Sequence, residues 1–171
     1  MDPQYSSGAD PLVDGEVVAV DGITPRLKVV ATPGHTSDSV CFYVYPGDPD
    51  STELEGIITG DTIAGRHTTM ISETDGDLGK YLDSLELLEE QGKDIPLLPG
   101  HGPEGADLSA YARKYIDRRN QRLEQIREAL KTHGENADIN TLVDAIYDDV
   151  DPVPVSYTHL TLPRRLRCRS R

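Results

Sequence analysis

Three apolar runs in this chain each end in a glycine that is followed directly by a side chain able to bind a metal. They are Thr32-Pro-Gly-His35, Thr59-Gly-Asp61 and Pro99-Gly-His-Gly102. Loops at strand ends can present side chains from a rigid scaffold to a common point, and glycine allows the close backbone approach this requires. Singly, each Gly-His or Gly-Asp is ordinary in a solvated turn. Three in succession predict a site for zinc or a similar ion, with His35, Asp61 and His101 as ligands.

Short β-rich runs alternate with amphipathic helical patterns, which favours an α/β fold. Strands are predicted at residues 16–20, 26–31, 40–45, 56–61 and 95–98, and helices at residues 78–88, 108–130 and 139–150. Asp77 is expected to cap the first helix and Gly92 to end it. Cys41 is expected in the core. The third helix has almost nothing of its own to pack on, so we expect it to begin a second domain.

The charge of the chain is unevenly distributed. The net charge is −13, yet residues 155–171 hold five of the 17 basic side chains and no acidic one, which leaves 12 basic and 30 acidic groups and a charge of −18 in residues 1–154. Such a body repels nucleic-acid backbones except at a local basic patch. No apolar run is long enough for a membrane span, and the start lacks the features of a signal peptide. We therefore expect a cytoplasmic protein without membrane contacts.

The end of the chain differs in character from everything before it. The segment Ser156-Tyr-Thr-His-Leu-Thr-Leu-Pro163 resembles a translated transposon-end adapter of sequencing libraries, and an arginine-rich stretch follows. A basic tail can also bind nucleic acid or anionic lipid. The adapter resemblance explains both parts better, so residues 155–171 are expected to be a non-native tail and are left out of the fold argument.

The three glycine-containing segments resemble the third, fourth and fifth motifs of the metallo-β-lactamase superfamily. The stretch Gly60-Asp-Thr-Ile-Ala-Gly-Arg-His-Thr-Thr69, together with residues 81–85 and 112–120, is similar to the β-lactamase-like protein 2 group. The resemblance covers nearly all of residues 11–152. It implies an α/β fold, part of an αββα sandwich, over residues 1–133. Residues 134–154 would then begin the winged-helix-like domain of that group.

The resemblance also implies a ligand set and a chemistry. His35 would bind a first metal, His101 a second, and Asp61 would bridge both. Two zinc ions are usual in the superfamily, with iron or manganese in some branches. The implied function is hydrolysis of an ester or thioester by a metal-bound hydroxide. Two alternatives stay open: an endonuclease for single-stranded RNA, and a non-catalytic interaction module with a lost metal site.

One part of the superfamily pattern has no counterpart in this chain. The first motif, His-x-His-x-Asp-His, supplies two ligands to the first metal and two to the second, but none of the five histidines here lies in a His-x-His pair. We therefore expect a fragment of a longer protein with an incomplete site and no catalytic base of its own. Such a chain would bind metal weakly and show no turnover.

The remaining candidates concern substrate and partners. His67 and Thr68 lie in the loop expected to face the site; contact with a small-molecule substrate is one interpretation for them, and solvent exposure is favoured for His67. Arg118, Arg119 and Arg122 form a basic spot for which salt bridges are expected and RNA contact is the minority hypothesis. A half sandwich leaves apolar sheet surface open, so a homo-oligomer is also expected.

Overall fold

The computed structural model describes residues 11–18, 22–72 and 74–147. Their elements are β1 (Val17–Val18), β2 (Arg26–Ala31), β3 (Val40–Tyr45), β4 (Gly56–Gly60), α1 (Leu78–Gln91), β5 (Leu97–Pro99), α2 (Leu108–His133) and α3 (Ile139–Ile146). The expected tail at 155–171 lies outside the described residues. Within them, no helix is both long enough and apolar enough to cross a membrane.

The element boundaries follow local sequence signals closely. Asp77 caps α1 by accepting a hydrogen bond from the Lys80 amide, and Gly92 ends the helix, both as predicted. The fifth strand is displaced from its predicted position, because the Ile95 amide closes a turn onto the Gly92 carbonyl at 3.2 Å and pairing begins only at Leu97. The mixed α/β class is confirmed.

The five strands form one sheet in the order β1-β2-β3-β4-β5, antiparallel except for the parallel pair β4–β5. One face is covered by α1 and α2. The core on that face consists of strand residues and helix residues that are all nearly or fully buried: Cys41, Tyr43, Ile57, Leu97, Tyr81, Leu85, Leu88, Leu108, Ala112 and Tyr115. Burial raises the pKa of the Cys41 thiol to about 11, as expected for a core cysteine.

The other face of the sheet is apolar as well. Val29 pairs with Phe42, Phe42 with Ile58, and Ile58 with Leu98, which makes one row across four strands. Val29 is buried and the other three are half-buried, and none of the four belongs to the cluster beneath α1 and α2. A continuous apolar row of this kind needs a covering layer. Self-association through this face stays a prediction.

Two core tyrosines differ in how their hydroxyls are bonded. The Tyr81 hydroxyl donates to the Thr62 carbonyl at 2.8 Å, whereas the buried Tyr43 hydroxyl has no partner among the described residues. We expect Tyr43→Phe to raise the free energy of unfolding by about 1 kcal/mol, because it removes a buried hydroxyl that has no partner in the described part of the chain. We expect Tyr81→Phe to lower the free energy of unfolding by about as much, because it leaves the buried Thr62 carbonyl without its donor. Urea denaturation of both variants measures the difference; equal losses would contradict the prediction.

The third helix has a packing partner, and the expectation that it has almost none is wrong. Leu142 and Val143 of α3 are buried, as are Ile126 and Ala129 in the second half of α2, and α3 contacts α2. The 26-residue α2 is longer than the 14-residue α1, which leaves its last turns available to α3. The winged-helix-like domain stays a prediction, since one helix among the described residues does not define such a domain.

Candidate metal centre

The sheet topology brings the three predicted ligands to one edge. Strands β2 and β4 are each antiparallel to β3, so they run in the same direction, and β5 is parallel to β4. The carboxyl ends of all three strands therefore lie at the same edge of the sheet. His35 follows β2 after a three-residue turn, Asp61 follows β4 directly, and His101 is two residues beyond β5.

The two histidines face different oxygens of the same carboxylate. His35 Nε2 is 3.8 Å from Asp61 Oδ2, and His101 Nε2 is 3.3 Å from Asp61 Oδ1. Both distances exceed the 2.7–2.9 Å typical of a charge-assisted hydrogen bond. The exposed fraction is 23% for the His35 side chain, 51% for Asp61 and 80% for His101. The carboxylate therefore lies between two imidazole nitrogens and is open to solvent.

These spacings can be compared with those of a zinc site. Two donors that are each about 2.1 Å from one tetrahedral zinc ion lie about 3.4 Å from one another. The distances of 3.3 and 3.8 Å are near this value, and the N and O donors suit zinc. In the part of the chain that the structure describes, however, no three His, Cys, Asp or Glu side chains are grouped so as to hold one ion. The donors are instead divided, one histidine at each oxygen.

His35 is held in place by residues 70–72. Its Nδ1 lies 2.5 Å from the Met70 carbonyl, and since a carbonyl only accepts, Nδ1 carries the proton. Ser72 donates its amide hydrogen to the His35 carbonyl at 2.9 Å. With the proton on Nδ1, the lone pair of a neutral ring is on Nε2, the nitrogen that faces Asp61. Metal-binding histidines are commonly oriented in this way through their other ring nitrogen.

Buried threonines connect the segments that carry His35 and Asp61. Thr32, Thr59 and Thr62 are at most 1% exposed. The Thr32 and Thr62 hydroxyls are 3.1 Å apart, and the Thr59 hydroxyl donates to the Ile63 carbonyl at 2.7 Å. All three threonines lie in or next to the quoted segments, but no role was predicted for them from the sequence. The available signal was a threonine shortly before the glycine in two of the three segments, Thr32 before Gly34 and Thr59 before Gly60.

The loop after Asp61 contains the two other candidates. His67 is exposed and Thr68 is half-buried, and the His67 backbone has φ = 68°, which is uncommon for a residue other than glycine. The Tyr115 hydroxyl contacts the carbonyls of Ala64, at 2.8 Å, and of His67. The contact of Tyr115 with a loop almost fifty residues away has no local signal in the sequence. Contact of His67 and Thr68 with substrate stays a prediction.

The three arginines of the predicted basic spot differ in their surroundings. Arg118 is exposed. Arg119 donates through Nη2 to the Thr69 carbonyl, and its guanidinium lies 5.5 Å from the centre of the Tyr81 ring. The guanidinium of Arg122 lies 4.1 Å from the centre of the Tyr147 ring. Two of the three therefore contact other parts of the chain.

Comparison with known proteins finds relatives of this chain by sequence. No family model matches the chain. An atrochrysone carboxyl ACP thioesterase of Aspergillus fumigatus is 37% identical over 120 residues, which are 70% of this chain and 34% of that protein. A β-lactamase-like protein 2 homolog of Caenorhabditis elegans is 33% identical over 136 residues, 80% of this chain and 41% of that protein. The chain thus spans between a third and about two fifths of these relatives.

A solved structure extends the likeness to the fold. A metallo-β-lactamase family protein from Thermus thermophilus superposes with a TM-score of 0.65 at 23% identity, over 88% of this chain and 46% of that one. The chain belongs to the metallo-β-lactamase superfamily. Within the superfamily it belongs with the β-lactamase-like protein 2 group, as residues 60–69, 81–85 and 112–120 indicated.

Proposed function

We propose that this chain supplies half of the metal centre of a hydrolase that acts on ester or thioester substrates. The observation that supports it is the placement of His35 and His101 at opposite oxygens of Asp61. A carboxylate with one imidazole nitrogen near each oxygen is arranged to bridge two ions, with one histidine on each. A salt bridge between Asp61 and one histidine would not explain why the second histidine faces the other carboxylate oxygen.

Zinc is the ion that the donor set favours, and iron or manganese are alternatives with the same ligand types. Ions at such a centre acidify water and polarise the oxygen of a substrate carbonyl. His35 would present Nε2 to the first ion while its Nδ1 stays bonded to the Met70 carbonyl. Asp61 and His101 are exposed enough to leave one side of the centre open to a substrate.

Two facts favour an acyl thioester or ester over an RNA phosphodiester. One relative is named an atrochrysone carboxyl ACP thioesterase, and residues 1–154 carry a net charge of −18, which repels a polyanion. RNA contact through the predicted basic spot depends most on Arg118, because Arg119 and Arg122 contact Thr69 and Tyr147. The non-catalytic alternative leaves unexplained why both histidines face the carboxylate of Asp61.

The three ligands are too few to complete two metal sites. A catalytic zinc ion usually has three protein ligands, and each proposed position here has one histidine and a share of Asp61. We therefore propose that the 171-residue chain by itself binds zinc weakly and does not turn over substrate. The remaining ligands would come from the first superfamily motif, which these residues do not contain.

Zinc titration of the chain by calorimetry tests the site, with a generic thioester assay beside it. Binding is expected to be weak and to disappear in Asp61→Asn, since that change replaces one bridging oxygen with an NH2 group and removes the negative charge that both positions share. Asp83→Asn, on the exposed side of α1, serves as the matched control and should leave binding unchanged. Equal binding by the chain and Asp61→Asn would overturn the site. Binding of two ions per chain together with substrate turnover would contradict the proposal that the metal centre of this chain is incomplete.

A further inference from the structure

We propose that Arg119 and Tyr115 of α2 are positioning residues for His35 and act through the backbone of the loop at residues 62–70. This inference rests on the proposed metal centre, because it gives these two residues the task of orienting one of its ligands. Neither residue touches the centre itself. Their effect passes through backbone carbonyls that they hold.

The loop is held at four carbonyls by side chains from the two helices. Tyr81 of α1 donates to the Thr62 carbonyl. Tyr115 of α2 lies against the carbonyls of Ala64 and His67, and Arg119, one turn later on α2, donates to the Thr69 carbonyl. Such contacts suit a loop with little secondary structure of its own, because its carbonyls need donors from elsewhere.

The next carbonyl along the chain is the one that orients His35. Arg119 holds the carbonyl of Thr69, and the following carbonyl, that of Met70, accepts the hydrogen bond from His35 Nδ1. Adjacent peptide groups share the dihedral angles of one residue, so a shift at the first turns the second. The orientation of the His35 ring therefore depends on a guanidinium fifty residues beyond the loop.

Two features indicate that this arrangement does more than stabilise the fold. The Nε of Arg119 is buried and has no acceptor among the described residues, which reduces the net stability that the guanidinium contributes. His67 has φ = 68°, a conformation that costs of order 1 kcal/mol or more and persists only where surrounding contacts impose it. Tyr115 supplies such a contact at the His67 carbonyl.

The consequence for His35 is a single tautomer. While the Met70 carbonyl is in place, the proton stays on Nδ1 and the Nε2 lone pair faces Asp61. When the carbonyl turns away, either nitrogen can carry the proton. A ring with its proton on Nε2 cannot bind an ion through that nitrogen, so loss of the contact weakens binding without removing any ligand.

The test uses Arg119→Gln and Tyr115→Phe in the 171-residue chain, with the neighbouring Arg118→Gln as the matched control. Long-range ¹H–¹⁵N spectra report which nitrogen of His35 carries the proton, without any metal, at about pH 8, where an ordinary imidazole is neutral. We expect the Nδ1–H form in the parent chain and in Arg118→Gln, and a mixture in Arg119→Gln and Tyr115→Phe. Calorimetry should then show zinc affinity lowered by about 10-fold or more in both variants.

Arg119→Lys, which keeps a charged donor, should restore much of the Nδ1–H form, and it replaces Arg119→Gln if that variant does not fold. An unchanged tautomer in folded Arg119→Gln and Tyr115→Phe would overturn the inference, and so would an equal change in Arg118→Gln. Because the tautomer is measured without metal, the experiment can contradict the positioning role and the proposed metal centre independently of each other. If the tautomer changes in Arg119→Gln and Tyr115→Phe but the chain binds no zinc, the positioning role is supported and the proposed metal centre is contradicted.

Discussion

Replacing Gly34 with alanine is expected to lower the free energy of unfolding by about 4 kcal/mol or more, out of the 5–15 kcal/mol typical of a domain. A Cβ at this position would lie 2.3 Å from the Tyr81 Cα and 2.4 Å from the Tyr81 backbone nitrogen. Neither atom can rotate away as a side-chain end could. The backbone also has φ = 137°, which alanine adopts only with strain.

The effect is large because the turn before His35 packs directly on α1. The Gly34 carbonyl accepts from the Asp77 amide at 3.0 Å, and the Pro33 carbonyl accepts from the Ser84 hydroxyl at 2.8 Å. A displaced turn therefore breaks contacts of both the helix start and the metal ligand. Urea denaturation measures the loss, and complete failure to fold is its extreme form.

Gly134→Ala is the matched control for this prediction. Gly134 has φ = 90°, but a Cβ there meets nothing within 4 Å. Its substitution carries the backbone penalty without the collision, and should cost about 1 kcal/mol. A Gly34→Ala variant no less stable than Gly134→Ala would show that the turn does not press on α1.

Replacing Gly65 with alanine is the second substitution with a large expected effect. A Cβ there would lie 1.8 Å from the Pro103 carbonyl oxygen, and the Gly65 amide donates to the His101 carbonyl at 2.8 Å. The loop that holds His101 must therefore move away from residues 62–70. We expect a loss of about 3 kcal/mol in the free energy of unfolding, and a displacement of His101 from Asp61.

Two measurements separate these effects. Denaturation gives the stability loss, and ring-proton NMR signals of His101 report its displacement from the carboxylate. Glu104→Ala, an exposed change in the same loop, should alter neither. Unchanged His101 signals in Gly65→Ala would mean that the two loops approach less closely than their backbones indicate.

Much of the fold was predictable because its signals are local. The spacing of Leu85 and Leu88 on one helical face, and the cap at Asp77 with the stop at Gly92, depend on residues within a few turns of each other. Where a boundary moved, as for the fifth strand, a turn closed by the Ile95 amide competed with strand pairing. The packing of α3 on α2 was missed because it joins two helices across the turn after His133, and the sequence pattern of each helix describes only its own faces.

The sequence by itself determined the superfamily and the three candidate ligands, because His35, Asp61 and His101 each follow a short glycine-containing segment that is visible without a structure. Only the tertiary structure decided that the two histidines face opposite oxygens of Asp61. It alone showed that Arg119 holds the peptide next to the one that orients His35. The physical reason is separation along the chain: periodicity and motifs describe neighbours, whereas these contacts join residues tens of positions apart.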